Sequence, residues 1–132
     1  DAVILGEILE HVTEPLKVLK EAKRLLKPGG YLLATVPFMY PVHADPEDFG
    51  RYTDYYWQDA AAKLGFIDFI IERQGGMFAV VALAVQHFFR AKGKTWGPIQ
   101  NSLVNLFMWC DKHTKAPLLL AWTTGYSLVF RK

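Results

Sequence analysis

The sequence predicts an α/β fold: a parallel βαβ unit, a further helix and strand, then a mostly helical insertion before a last strand. Three observations carry this. The continuous apolar run Ala2–Leu5 has the composition of a strand buried on both faces of a parallel sheet, and Tyr31–Val36, apolar but for Thr35, reads as a second buried strand. Between them Leu16, Leu19, Ala22 and Leu26 recur at helical spacing, with Lys17, Lys20, Lys23, Arg24 and Lys27 on the wet side. Pro28-Gly29-Gly30 stops that helix, and a strand–helix–strand connection of this length makes a parallel crossover. Open sheets of this kind place ligands beyond the carboxyl ends of their strands. The loops after Leu5 and Val36 are therefore the first places to look for function.

In order along the chain, Gly6 frees the backbone after the first strand, and Glu7, Glu10 and His11 crowd the loop behind it. Thr13 is expected to cap the first helix, with Glu14 and Pro15 in its first turn and Val18 and Leu25 widening its apolar stripe. Pro37 closes the second strand because it has no N–H to give the ladder. Phe38–Tyr52, rich in Pro, His, Asp and Gly, reads as an ordered loop. Thr53 then caps a helix over 54–64 with Tyr56, Ala60 and Leu64 on one face, and Gly65 ends it. Phe66–Glu72 reads as a third strand broken by Gly75-Gly76.

The second half has another character. Met77–Phe89 is apolar all round, so as a helix it needs cover from protein, a partner or lipid. A basic turn, 90–94, follows. Ile99, Leu103, Leu106, Phe107 and Cys110 mark an amphipathic helix ending near 112–115, Pro117 is a break, and Gly125–Phe130 is the last strand. The domain reading is one partial domain over 1–132: a βαβαβ core over 1–73, a helical insertion over 74–122 and a last strand over 123–132.

With 132 residues, 52% of them apolar, the chain is long enough for a packed core and unlike a disordered segment. The net charge of +2 makes no case for nucleic acid, and no such partner is expected. The single cysteine, Cys110, excludes an internal disulfide framework and fits a reducing, cytoplasmic setting. The chain starts at Asp1 without a signal peptide, and residues upstream of it are expected. Its apolar run without charge, Gln74–Phe89, is shorter than the ~20 residues that span a bilayer. His43, Asp45 and Asp48 are close enough in sequence to hold a metal, yet a turn with local Asx hydrogen bonds accounts for them, and no metal is expected. His87 and His113, on helical segments, are read as structural.

The run Asp1-Ala-Val-Ile, Leu9-Glu-His-Val12, Leu25-Leu-Lys-Pro-Gly-Gly30-Tyr-Leu and Val36-Pro37 resembles the central motifs of class I S-adenosylmethionine-dependent methyltransferases. Its likeness is to the type-11-like branch, whose fourth strand leads into an L-E-H-V turn and whose next helix ends in L-K-P-G-G. The segment His43-Ala-Asp-Pro46, Asp48-Phe-Gly-Arg-Tyr-Thr53, with Leu64-Gly-Phe66, resembles the same branch. The resemblance covers 1–66 continuously and fades through 74–122. It implies the C-terminal half of a Rossmann-like class I methyltransferase sheet, beginning at the family's fourth strand. The Gly-rich turn and the acidic residue by which that family grips its cofactor are absent.

That resemblance implies S-adenosyl-L-methionine as cofactor, with Gly6, Glu7 and Ile8 beside its methionine part. Glu7 would accept a hydrogen bond from the cofactor's amino group, or else stand as a solvated loop carboxylate. His11 would orient a substrate or take a proton from it, as the candidate catalytic residue, or simply help to cap the helix. His43, Arg51 and Tyr52 are the candidate substrate contacts across the site mouth, with an Arg51–Asp48 pair as the alternative for Arg51. The implied reaction is methyl transfer to a small-molecule or lipid-linked acceptor, helped chiefly by proximity and orientation. The other reading is a non-catalytic, methyltransferase-derived assembly module. The insertion suggests an acceptor cap or a peripheral membrane contact through 77–94, and the exposed edge of a half-sheet suggests a homo-oligomer.

Overall fold

The computed structural model describes residues 1–43, 47–91 and 97–132. They form two compact units, 1–72 with 125–132, and 73–124. Among the described residues the strands are β1 (Ala2–Gly6), β2 (Tyr31–Pro37), β3 (Asp68–Gln74) and β4 (Gly125–Arg131). They make one sheet in the order β1-β2-β4-β3. β1 runs parallel to β2, with Gly6 opposite Thr35, and β4 runs antiparallel to β2, with Leu128 opposite Ala34.

Helix α1 (Pro15–Leu25) connects β1 to β2 and α2 (Asp54–Lys63) precedes β3. Their inward sides, Leu19 and Ala22 of α1 and Trp57, Ala60 and Ala61 of α2, close on Leu32, Ala34 and Val36 of β2 and Leu128 and Phe130 of β4. This core is one-sided. Alternate residues of β2 point the other way, and Tyr31 and Leu33 are 44% and 37% exposed.

Five expectations are corrected here. β1 is not buried on both faces: it is the sheet's edge, and Ile4 is 75% exposed. An unbroken apolar run reports composition and says nothing of which neighbours arrive. Thr13 does not cap α1; Glu14 holds the N-cap position without a side-chain bond, because Pro15 at the first helical position fixes where the helix starts. On α1 the stripe is narrower than expected, with Leu16 and Leu25 exposed. On α2 the buried side centres on Trp57 rather than Tyr56 and Leu64, which are half-buried. The third strand also lies two residues later than its expected span, and Phe66 is left as a core residue ahead of it.

The turn at Gly29-Gly30 needs its glycines. Gly29 has φ +78°, and a Cβ on Gly30 would lie 2.8 Å from the Asp1 carbonyl oxygen. That closeness lets Tyr31 N–H donate to Asp1 O at 3.0 Å and starts the β1–β2 pairing.

The unit over 73–124 is a helical hairpin, α3 (Met77–Ala91) against α4 (Gly97–His113), with a short α5 (Pro117–Leu120). Ala79 and Ala82 are buried on α3, whereas Phe88 (59% exposed) and Trp109 (60%) face outward. The Asp111 carboxylate of α4 accepts the N–H groups of Gly76 (2.9 Å) and Ala79 (3.1 Å), satisfying donors that the start of α3 leaves open. His87 and His113 each place Nδ1 near the carbonyl four residues back, which fits their structural reading. Lys92 and Lys94, part of the expected basic turn, lie outside the described residues. No helix among the described residues is long and apolar enough to cross a membrane.

Candidate functional site

The carboxyl ends of β1 and β2 meet at Gly6 and Thr35. Directly beyond, Glu7 has φ +51°, a left-handed conformation rare for a side-chain-bearing residue, and its N–H donates to Thr35 O at 3.0 Å. A non-glycine residue held there costs about 1 kcal/mol, and such outliers cluster at ligand-binding turns. The Glu7 side chain is exposed, as is that of Ile8. A Cβ on Gly6 would meet nothing nearer than Thr35 Oγ1 at 3.9 Å, so the floor of the turn is open. On the sheet face beside it, Ile4, Leu33 and Val129 with Gly6, Thr35 and Ser127 line an apolar trough.

The chain then makes one turn of 3₁₀ helix, Leu9–His11, which drives Leu9 and Glu10 inward. Glu10 is 1% exposed, and neither carboxylate oxygen has a hydrogen-bond partner among the described residues. Burial raises its carboxyl above the ordinary carboxylate range; its own backbone N–H and the His11 and His43 charges pull the other way, and Glu7 adds to the rise. The Glu10 carbonyl accepts Phe49 N–H at 2.8 Å, which ties this turn to the loop after β2.

That loop supplies the opposite wall. His11 Nδ1 lies 2.5 Å from Glu47 O, and His11 and His43 meet edge to face at 4.9 Å between ring centroids. Tyr40 stands against His43 at 5.3 Å. Arg51 does pair with Asp48, through two guanidinium nitrogens on one carboxylate, and it also donates to Pro41 O at 3.3 Å. Tyr52 stacks on Tyr56 at 4.4 Å and packs against the core.

The structure therefore gathers Glu10, His11, His43, Asp48 and Arg51 into one cluster. Gly6 and Glu7 form the adjoining turn, while Tyr52 belongs with the α2 aromatics. Asp45, part of the sequence-based metal candidate, lies outside the described residues, and Asp48 of that trio is occupied by Arg51. Sequence reasoning missed the burial of Glu10. The available signal was its place between Leu9 and Val12 in a turn too short to keep every polar group wet.

Residues 1–34 match the family model described as "Methyltransferase domain". No curated protein matches the chain. Among solved structures, the fold is similar to a SAM-dependent methyltransferase from Archaeoglobus fulgidus, with TM-score 0.59, 16% identity, and coverage of 100% of this chain and 59% of that one. It is also similar to phosphoethanolamine N-methyltransferase 2 from Haemonchus contortus in complex with S-adenosyl-L-methionine, with TM-score 0.54, 17% identity, and coverage of 98% and 32%. The cyclase SpnF is similar as well, with TM-score 0.50, 20% identity, and coverage of 100% and 49%. The chain thus spans between a third and three-fifths of the length of these structures.

Proposed function

We propose that this chain, whose fold is the carboxyl-terminal half of a class I S-adenosylmethionine-dependent methyltransferase, is the acceptor-side part of an enzyme that methylates a small or lipid-linked molecule. The observation that carries the reading is Glu7. A residue with a strained backbone and an exposed carboxylate stands at the carboxyl end of β1, beside an open glycine, where the resemblance implies the methionine end of the cofactor.

The residues present fit that end of the cofactor and no more of it. Gly6 leaves room for close approach, Glu7 offers an acceptor to an ammonium group, and Ile8 adds an apolar edge. The Gly-rich turn and the second-strand acid that would hold the rest are not among these 132 residues. S-adenosyl-L-methionine, when bound, supplies an electrophilic methyl group on a sulfonium. The chain's own part is to orient. His11, fixed through Nδ1 to Glu47 O, can hold an acceptor or take its proton, and His43 and Tyr40 form the wall beside it. Arg51 acts through Asp48, keeping the His43 backbone in place.

The acceptor class draws support from two sides. The Haemonchus contortus enzyme has also been solved with phosphomonomethylethanolamine and S-adenosylhomocysteine. The helical unit exposes Phe88, Leu106 and Trp109, side chains suited to an apolar substrate portion, a bilayer surface or a second copy. A reducing, cytoplasmic setting suits the free Cys110. Fold alone does not fix chemistry, as the cyclase with this architecture shows. The apolar trough on the sheet face favours the second reading, an assembly module that docks its sheet on another chain. Calorimetric titration of the full-length protein with S-adenosylhomocysteine separates the two: 1:1 binding supports the enzyme, and no binding by folded protein supports the module.

A further inference from the structure

We propose that Glu10, His11 and His43 bind one divalent transition-metal ion of the zinc class at the carboxyl end of β1. A donor atom of each lies within 4.8 Å of the others. Ligands at roughly 2.0–2.2 Å from a zinc ion stand some 3–3.5 Å apart, so rotamer adjustments of about 1 Å would close the set.

Two independent features point to a cation here. The first is the Glu10 carboxylate, 1% exposed, with both oxygens lacking a hydrogen-bond partner among the described residues. A buried carboxylate left in that condition is strongly disfavoured unless it is protonated or paired. His11 Nε2, 3.6 Å from Glu10 Oε1, is too far for a hydrogen bond and near enough to share an ion.

The second feature is how the two imidazoles are held. His11 Nδ1 faces the Glu47 carbonyl at 2.5 Å. His43 Nδ1 faces the Pro41 carbonyl and Asp48 Oδ2, each at 3.3 Å. Carbonyl and carboxylate oxygens only accept, so Nδ1 of a neutral ring must carry the hydrogen and Nε2 the lone pair. Metal-bound histidines are oriented by outer partners in the same manner. Arg51, bidentate on Asp48, fixes that outer partner in turn.

One carboxylate and two imidazoles suit zinc, iron(II), cobalt(II) or nickel(II) better than calcium or magnesium. Three protein ligands leave a position for water or for an oxygen of a bound molecule. The inference rests on these contacts and not on the methyl-transfer reading; with an ion bound, His11 Nε2 is a ligand and no longer the base for the acceptor.

The test is titration of untagged, EDTA-treated full-length protein with Zn²⁺ by calorimetry and with Co²⁺ by visible absorption. The expected result is one ion per chain with a Kd of about 1 µM or below, weakened at least about 100-fold in His43→Asn and unchanged in His113→Asn. Glu10→Gln should abolish binding while leaving the metal-free protein as stable or more so, because the unpaired charge is gone. Failure of the folded protein to bind either ion at roughly 100 µM, or binding indifferent to His43→Asn, overturns the site.

Discussion

The Asp48 carboxylate receives both terminal nitrogens of the Arg51 guanidinium while accepting the His43 N–H at 3.1 Å. One ion pair therefore pins the loop after β2, and the loop carries His43 into contact with His11. The Arg51 hydrogen bonds hold the Asp48 carboxyl at about 2, against an ordinary 3.8. A carboxyl with a depressed folded pKa stabilises fully above its unfolded pKa, and loses that contribution as pH falls through its folded one. Asp48→Asn should cost roughly 2 kcal/mol at neutral pH. Relative to the variant, the parent should lose this advantage between pH 3.8 and about 2. Denaturant unfolding at pH 7 and pH 2.5, with EDTA present, measures both.

Trp57 is fully buried, packed against Tyr52 and Tyr56 at 5.3 and 4.9 Å, and its Nε1 has no partner among the described residues. Trp57→Ala should cost about 3–5 kcal/mol, whereas Trp57→Phe keeps most of the contact and breaks no hydrogen bond, costing roughly 1–2 kcal/mol. Thermal unfolding of the two variants should show the smaller side chain far below the aromatic one.

Asp111 closes the start of α3 from the far end of α4, a cap that no local pattern announces. Asp111→Ala should destabilise the hairpin by about 1–2 kcal/mol, in the range of a lost N-cap. Amide exchange at Gly76 and Ala79 should accelerate first. If both amides keep their protection, the carboxylate is not their partner in solution.

Local chemistry was legible in the sequence and long-range meeting was not. Leu19, Ala22 and Leu26 mark the buried side of α1, and Gly65 ends α2, because each depends on a few neighbouring residues. The strand at Gly125 was legible for the same reason: Tyr126, Leu128 and Phe130 alternate, and all three are buried. In contrast, Ile4 looks like a core residue and stands 75% exposed, since an apolar run cannot tell an edge strand from a central one. The sequence marks His11 and His43 separately, but their contact follows from the loop pinned by Asp48 and Arg51. In the sequence Glu10 is one residue of the L-E-H-V turn, and only the 3₁₀ helix shows its carboxylate turned inward without a hydrogen-bond partner among the described residues.

Glu7 joins the fold to the function. At φ +51° it stores strain that glycine would release, so Glu7→Gly should leave stability unchanged or raise it by up to about 1 kcal/mol. The same change removes the acceptor proposed for the cofactor's ammonium group. The most direct measurement is calorimetric titration of the full-length protein and its Glu7→Gly variant with S-adenosylhomocysteine. The prediction is 1:1 binding by the parent, weakened about tenfold in a variant that unfolds at the same temperature or higher. A folded parent that does not bind S-adenosylhomocysteine would contradict the account.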